Sequence, residues 1–293
     1  MPQADADIGV VIVTYNSAGE IGDCLESLKA ASTRPLSIVV VDNASPDGTL
    51  EKVRQFPDVE IISNNVNRYY AAANNQGVAR VAGRHILLLN PDVMLPVSGA
   101  DALAAVMDSD ERLAAVAPML VDPSGKRQQS LREFPGFDTL WYDLLGLSYI
   151  FPRSPRFGRW RMGYFDGKSE RDVPQPMASC LMIRRSVLAE IGFFDERYPM
   201  FFNDVDWCKR VHDRNWRIRY TPDVQARHIG GASTRQRKLR MIWMSHTAYL
   251  QYLRHYHAST IGRRLALYLS APVLYFAAAL RSIWWGFRRT VGK

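Results

Sequence analysis

Hydrophobic residues in the first part of the chain come in short runs, at 8–13, 38–41, 59–62 (broken by Glu60) and 85–89 (opening on His85), with amphipathic stretches between them. A continuous β-branched and aliphatic run fits a strand buried on both faces, whereas a strand with one wetted face would alternate. After the first run, Ser17 and Glu20 have the spacing of a capping box, and Ile21, Leu25 and Leu28 fall on one face of the helix it would open. The turn Ser45-Pro46-Asp47-Gly48 leads to a short helix near 50–55, and 71–81 reads as another helix. Strand and helix alternating in this way predict a doubly wound, mostly parallel α/β sheet.

Downstream the pattern loosens. Residues 118–176 are rich in Pro, Gly, Arg and aromatics with weak periodicity, which predicts long loops and short helices over the active-site side. A strand at 179–183, a helix at 185–191, a polar-aromatic segment at 201–210 and a helix at 241–255 follow. Residues 265–280 are uncharged throughout, with Pro272 in their middle.

The strands stop on polar residues: Thr14-Tyr15-Asn16 after the first, Asp42-Asn43 after the second, Asn90-Pro91-Asp92 after the fourth. In doubly wound sheets ligands bind beyond the carboxyl ends of the strands, so this repetition exceeds what turns require. A carboxylate fixed at Asp92 suits Mg²⁺ or Mn²⁺, hard cations that share oxygen ligands with phosphates. Asp42 is placed to accept from a base N–H or a ribose hydroxyl, although a strand-end Asp is also a common turn residue. Asp204 or Asp206, among aromatics, would serve as general base, or would only favour the positive end of a helix. His228, followed by Gly230-Gly231-Ala232-Ser233 and then Arg235, has the look of a phosphate-binding loop with a metal ligand. There is no G-x-G-x-x-G after the first strand, no Walker loop and no Ser nucleophile elbow.

Length and composition add little: 293 residues, 47% hydrophobic and 23% charged, are ordinary for one large α/β domain with or without an appendage. The three cysteines have no metal-finger or redox spacing, which predicts buried thiols in a reducing compartment, and the N-terminus carries no secretory pattern. Charge is more informative. The net charge is +8, yet twelve Lys/Arg and no acid follow Asp223, leaving 25 bases against 29 acids before it. A polyanionic partner is implied for the C-terminal end alone.

Val10-Val11-Ile12-Val13-Thr14-Tyr15-Asn16, Val40-Val41-Asp42-Asn43-Ala44-Ser45 and Leu88-Leu89-Asn90-Pro91-Asp92, in this order, resemble the family-two inverting glycosyltransferases. The likeness is to the rhamnosyltransferase-like branch that builds bacterial cell-surface polysaccharides. Segments 67–77, 180–185, 192–196, 203–210 and 228–233 continue it, so it covers roughly residues 8 to 260.

The resemblance implies a GT-A type fold over 1–240, with a nucleotide-binding half at about 8–117 and an acceptor half at about 118–240, followed by a helical extension at 241–293. It implies that Thr14, Tyr15, Asn16, Asp42, Asn43, Asn67, Asn75, Asn90 and Arg235 bind the nucleotide sugar. It gives Asp92 and His228 to Mg²⁺ or Mn²⁺, Asp204 to the role of base, and Ser179, Cys180, Asn203, Asp206 and Trp207 to the acceptor. The donor it implies is deoxythymidine-diphospho-rhamnose, with uridine-diphosphate hexoses second; a catalytically silent nucleotide- or glycan-binding protein is the alternative. The acceptor it implies is a polyprenyl-diphosphate-linked glycan. The chain departs from the family pattern at Asn203, where Glu is usual, and at Tyr69, Ala178 and Asn215, where Gly is usual.

The tail at 265–280 is shorter than the ~20 residues a spanning helix needs. Extended to Phe287 it takes in Arg281 and Trp284-Trp285, with Arg263 and Arg264 before it and Arg288, Arg289 and Lys293 around its end. This predicts a helix lying on an anionic surface at the cytoplasmic face of the bacterial inner membrane, a buried C-terminal helix or a homo-oligomer contact being the other uses of such a segment. No nucleic-acid partner is expected, since no recognition motif accompanies the charge.

Overall fold

The computed structural model describes residues 6–230 and 238–291, with side chains as far as Trp285. The chain forms two compact units. The first takes Met1–Arg132, Asp166–Pro199 and Asn203–Ser233; the second takes Glu133–Phe165, Met200–Phe202 and Thr234–Lys293. Residues 133–165, expected in an acceptor half, therefore group with the C-terminal helices.

In the first unit, β1 (Ile8–Thr14), β2 (Leu36–Asp42), β3 (Val59–Ser63) and β4 (His85–Leu89) are parallel and lie in the order β3-β2-β1-β4. The chain winds outward from β1 to β3, then returns to the far side of β1. That reversal puts a topological switch point between β1 and β4, where doubly wound sheets open a crevice. The sheet continues through β5 (Val93–Met94), β6 (Leu113–Val121), β10 (Cys180–Arg184) and β11 (Arg217–His228), in the order β4-β10-β6-β11-β5. β10 runs antiparallel to both neighbours, and β11 runs parallel to β6. β8 (Arg171–Asp172) pairs with β11, while β7 (Leu131–Arg132) and β9 (Gln175–Pro176) make a separate ribbon. The mostly parallel α/β sheet expected from the pattern is present.

β1, β2 and β4 are buried on both faces because their side chains alternate between two helical layers. Val10, Ile12 and Val40 share a core with Ile21, Leu25 and Leu28 of α1 (Ile21–Ala31). On the other face, α3 (Tyr69–Arg80) packs against β1 and β2, and α2 (Thr49–Val53) precedes it in the chain. Gly77 permits that packing: a Cβ there would stand 2.4 Å from Val11 Cγ1 and 3.2 Å from Val41 Cγ2.

Three expectations shift. The capping box does not form: Glu20 is the N-cap residue of α1 without a side-chain bond. Ser17 offers its carbonyl to Glu20 N–H and Ile21 N–H, and its hydroxyl to Tyr15 N–H. The strand expected at 179–183 starts one residue later. Two long strands and α4 (Gly99–Asp108) rise from segments whose pattern did not announce them. β6 reads Leu-Ala-Ala-Val-Ala-Pro-Met-Leu-Val, poor in β-formers, and β11 carries Pro222 and an irregular register between Thr221 and Gln225.

α7 (Arg185–Ile191) and α8 (Asn203–Asp213) also belong to the first unit, whereas α5 (Phe137–Leu144), α6 (Leu147–Ile150), α9 (Lys238–His257) and α10 (Ile261–Val291) belong to the second. Tyr249 of α9 is the hub of the second unit. Its hydroxyl meets Thr139 Oγ1 at 3.2 Å and donates to the Gly136 carbonyl, and its ring meets Trp160 edge-on at 5.3 Å and Phe202 at 5.2 Å. α10 lies against α9 and α5.

Candidate active site

Register aligns the strand ends. Thr14 pairs with Asp42, Asp42 with Ser63, and Ile12 with Leu89, so the residues after β1, β2 and β4 meet at one sheet edge. Cys180 pairs with Leu89, and the Asn90 N–H donates to the Ser179 carbonyl, which brings the start of β10 to the same edge.

At the β1–β2 end, Asp42 is buried. Its carboxylate accepts from Thr14 Oγ1 at 2.8 Å, Ser45 Oγ at 2.5 Å and Ser45 N–H at 2.9 Å. Ser45 Oγ also accepts from the Asn16 N–H, and Asn16 stands at φ +51°. Asn43, 2% exposed, works as a bracket: it donates to the Tyr69 carbonyl and accepts from Asn64 Nδ2 and the Arg68 N–H. Asn67 accepts from the Tyr69 N–H. Held on both sides, Tyr69 takes φ +63°, the left-handed region that glycine occupies at less cost. Asn75 donates to the Phe194 carbonyl and to Glu196, fastening α3 to the segment after α7. Asn43 and Asn75, expected to touch a nucleotide sugar, are thus occupied in shaping the loops. Tyr15 keeps a half-buried position beside them.

At the β4 end, Asp92 and His228 meet across the β5–β11 pairing, in which His228 opposes Val93. His228 Nε2 stands 3.5 Å from Asp92 Oδ1, while Asp92 Oδ2 accepts the Gly230 N–H. Gln128 grips the histidine at two points. Its Oε1 lies 2.7 Å from His228 Nδ1 and its Nε2 donates to the His228 carbonyl. An amide oxygen can only accept, so Nδ1 carries a proton and Nε2 presents a lone pair to Asp92 in the neutral ring. Burial pushes His228 below the ordinary imidazole range, only partly offset by Asp92. Two acceptors facing each other at this distance can share a proton or a metal cation. Among the described residues no third His, Cys, Asp or Glu joins the pair. Asn90 is half-buried alongside. Arg235 lies outside the described residues.

Asp204 occupies the first turn of α8. Its Oδ1 accepts the Val205 N–H at 2.9 Å, and it also takes a backbone hydrogen bond from Ala178. Partly accessible yet enclosed by protein, it is held above the ordinary carboxylate range because burial outweighs those bonds and the pull of Arg132. The Tyr70 hydroxyl donates to the Ala178 carbonyl at 2.8 Å. Burial raises the Tyr70 hydroxyl first, and the fields of both Asp204 and Asp92 add to it, so the two carboxylates share one neighbourhood.

The remaining residues expected at the acceptor do other work. Asp206, 1% exposed, pairs with Arg210, whose other nitrogens donate to the Ile191 and Phe193 carbonyls. Trp207 is fully buried, its Nε1 donating to the Gly192 carbonyl. Asn203 is buried and donates to the Tyr198 carbonyl. Cys180 is buried, its thiol pushed up to about 12 by loss of water. These four brace α8 and β10 from the inside; Ser179 stays at the sheet edge. Gln128, which holds the histidine of this candidate site, had no signature in the sequence. Its only signal is its contact with a histidine 100 positions away.

Residues 9–192 match the model of glycosyl transferase family 2. The chain is 32% identical over 240 residues to an N-acetylglucosaminyl-diphospho-decaprenol L-rhamnosyltransferase of Mycobacterium tuberculosis, covering 77% of this chain and 76% of that protein. It is 24% identical over 228 residues to a low-salt glycan biosynthesis hexosyltransferase of Haloferax volcanii, covering 76% of this chain and 67% of that one. Among solved structures, a mannosyltransferase of Pyrobaculum calidifontis with GDP-mannose and Mn²⁺ aligns at a TM-score of 0.56 and 17% identity, covering 97% of this chain and 88% of that one. Staphylococcus aureus TarS with UDP aligns at 0.54 and 17%, covering 89% and 69%.

Proposed function

The chain belongs to glycosyl transferase family 2 with a GT-A type fold, and from that premise we propose that it is an inverting, divalent-metal-dependent glycosyltransferase acting on a lipid-linked glycan. The observation that carries this reading is the sheet-edge constellation. The Asp92–His228 pair, its tautomer fixed by Gln128, and the elevated carboxylate of Asp204 act on the same neighbourhood.

In the proposed reaction Asp204 takes the proton of an acceptor hydroxyl as that oxygen attacks the anomeric carbon. Its raised pKa makes it a stronger base than a solvated carboxylate. Thr14, Tyr15, Asn16 and Asn90 flank the nucleotide, with Asp42 supporting that wall through Thr14 and Ser45. Asp92 and His228 would hold the divalent ion, and an imidazole ligand favours Mn²⁺ over Mg²⁺. When bound, such an ion supplies charge neutralisation to the departing diphosphate.

The donor we propose first is deoxythymidine-diphospho-rhamnose, because the mycobacterial relative is named as a rhamnosyltransferase. Uridine-diphosphate hexoses come second. A polyprenyl-diphosphate-linked glycan is the proposed acceptor, supported by that relative's name and by the C-terminal helix. That helix, 31 residues long with a 25-residue stretch at Ile261–Trp285 that is long and apolar enough to cross a membrane by length and composition, fits attachment at the cytoplasmic face of the bacterial inner membrane. A panel of nucleotide sugars, scored for Mn²⁺-dependent hydrolysis and for protection against thermal unfolding, tests the reading. One donor should score on both counts. Turnover that persists after complete chelation would remove the metal from the mechanism.

A further inference from the structure

Most of the large hydrophobic side chains left exposed among the described residues belong to the second unit. Of the large hydrophobic side chains left exposed among the described residues, Val66, Val97 and Ile229 lie in the first unit; all the others lie in the second. Charge divides the same way. The second unit holds fifteen Lys/Arg against three acids, and the first holds 22 against 26. A smaller unit that is both basic and greasy has the composition of a surface meant for anionic lipid.

Two elements supply the grease. Along α10, Leu265, Leu269, Phe276, Leu280 and Ile283 are exposed and fall within about 60° of one another at 100° per residue. Ser270, Leu274 and Ala278, on the opposite side, are buried. The helix therefore packs with one face and leaves an apolar stripe on the other.

The second element lies outside the C-terminal tail. In α5, α6 and the residue after them, Trp141, Leu145, Tyr149, Ile150 and Phe151 are exposed, Leu145 and Ile150 by about two thirds (65% and 66%). This segment lies against α10 through α5. Its acids are neutralised from within: Asp138 pairs with Arg159, and Asp143 accepts from Arg161 through both oxygens. Arg153 and Arg156 follow the patch and are exposed.

We propose that residues 141–151 form a second insertion point on an anionic bilayer, acting with the α10 stripe so that the unit docks through two elements. This rests on the reading of α10 as a membrane-surface helix, and extends it to a segment more than a hundred residues earlier. The apolar side chains would enter the acyl boundary, and Arg153 and Arg156 would meet lipid phosphates.

The full-length protein is floated with vesicles of phosphatidylcholine alone and of phosphatidylcholine with phosphatidylglycerol. Wild type should bind the anionic vesicles and lose them as salt rises. The variant Ile150→Ser/Phe151→Ser should partition at least about tenfold more weakly, as should Leu269→Ser/Phe276→Ser on the stripe. These positions are exposed, so both variants should melt like wild type. The three native cysteines are buried, so a polarity-sensitive dye placed on Ile150→Cys reports this segment alone and should shift to the blue on anionic vesicles. If wild type ignores both vesicles, the membrane reading of α10 fails. If wild type binds while Ile150→Ser/Phe151→Ser binds equally and the dye stays unshifted, this inference fails and the α10 reading stands. Should that variant instead turn a dimer into a monomer with vesicle binding intact, a second copy of the chain occupies the patch, and the inference is overturned.

Discussion

Asp204 accepts backbone hydrogen bonds that favour its ionised form, and burial still holds it above the ordinary carboxylate range. A carboxyl whose folded pKa is raised binds its proton more tightly folded than unfolded. Its ionisation therefore costs stability above the folded pKa, and the cost vanishes below the unfolded one. Asp204→Asn should accordingly lose roughly 10²-fold or more in kcat while melting higher than wild type at neutral pH. The gain in Tm should shrink as the pH falls through the ordinary carboxylate range, and the acid limb of wild-type kcat should lie above that range. Calorimetry across pH and a pH–rate profile check the two halves separately. Gln128 makes a different demand. Gln128→Ala frees the His228 ring, and the affinity for Mn²⁺ in the presence of nucleoside diphosphate should fall about 10- to 100-fold. Calorimetric titration or the Mn²⁺ resonance signal reads this without turnover. The places of Asp92, His228 and Asp204 were legible in the sequence because each ends a strand or opens a helix; their roles belong to the proposed reaction. Gln128 was not, because its role exists only once β11 carries His228 beside it. The burial of Trp207 and Asp206 was not legible, because an aromatic and an acid beside a candidate base read equally well as a platform.

At the level of elements, the site depends on how closely α3 lies on β1 and β2. The Cβ of Gly77→Ala would enter the space of Val11 Cγ1 at 2.4 Å, in a strand with no free side to yield. Overpacking of this kind costs about 1–3 kcal/mol, which a shift in the denaturation midpoint at constant slope would report. Tyr69, at the head of the same helix, is held at φ +63° between Asn43 and Asn67. Tyr69→Gly should hold the midpoint within about 1 kcal/mol, lost strain offsetting added chain entropy. It should also widen the range of donors hydrolysed, since a half-buried ring leaves the loop beside the nucleotide wall. An unchanged donor profile would separate Tyr69 from sugar choice. The first four strands were readable because short aliphatic runs between turn residues allow few other structures. β6 and β11 were not: alanines, prolines and a register irregularity dilute their pattern, and pairing with neighbours decides their form. α5 and α6 hid in a segment whose prolines and glycines mark turns more clearly than helices.

For the whole molecule, the division into units does not follow the order of the chain, and this governs where it can be cut. Residues 133–165 and Phe202 find their partners on α9, through Tyr249 with Thr139, Trp160 and Phe202, and through Tyr252 with Phe202. A chain ending before Lys238 would leave Trp160 and Phe202 without those rings. Phe202 would also lose the packing that sustains its φ of +69°, directly before the helix that carries Asp204. Stopping before Ile261 removes only α10, with its apolar stripe, and keeps the Tyr249 hub. The shorter product should therefore aggregate or melt far below wild type, and the longer one should fold and retain nucleotide protection while losing vesicle binding. Size-exclusion chromatography, thermal shift with nucleoside diphosphate and vesicle flotation on the two truncations would read all three outcomes. A well-behaved, nucleotide-binding product of the shorter cut would mean that the first unit holds its site without the second.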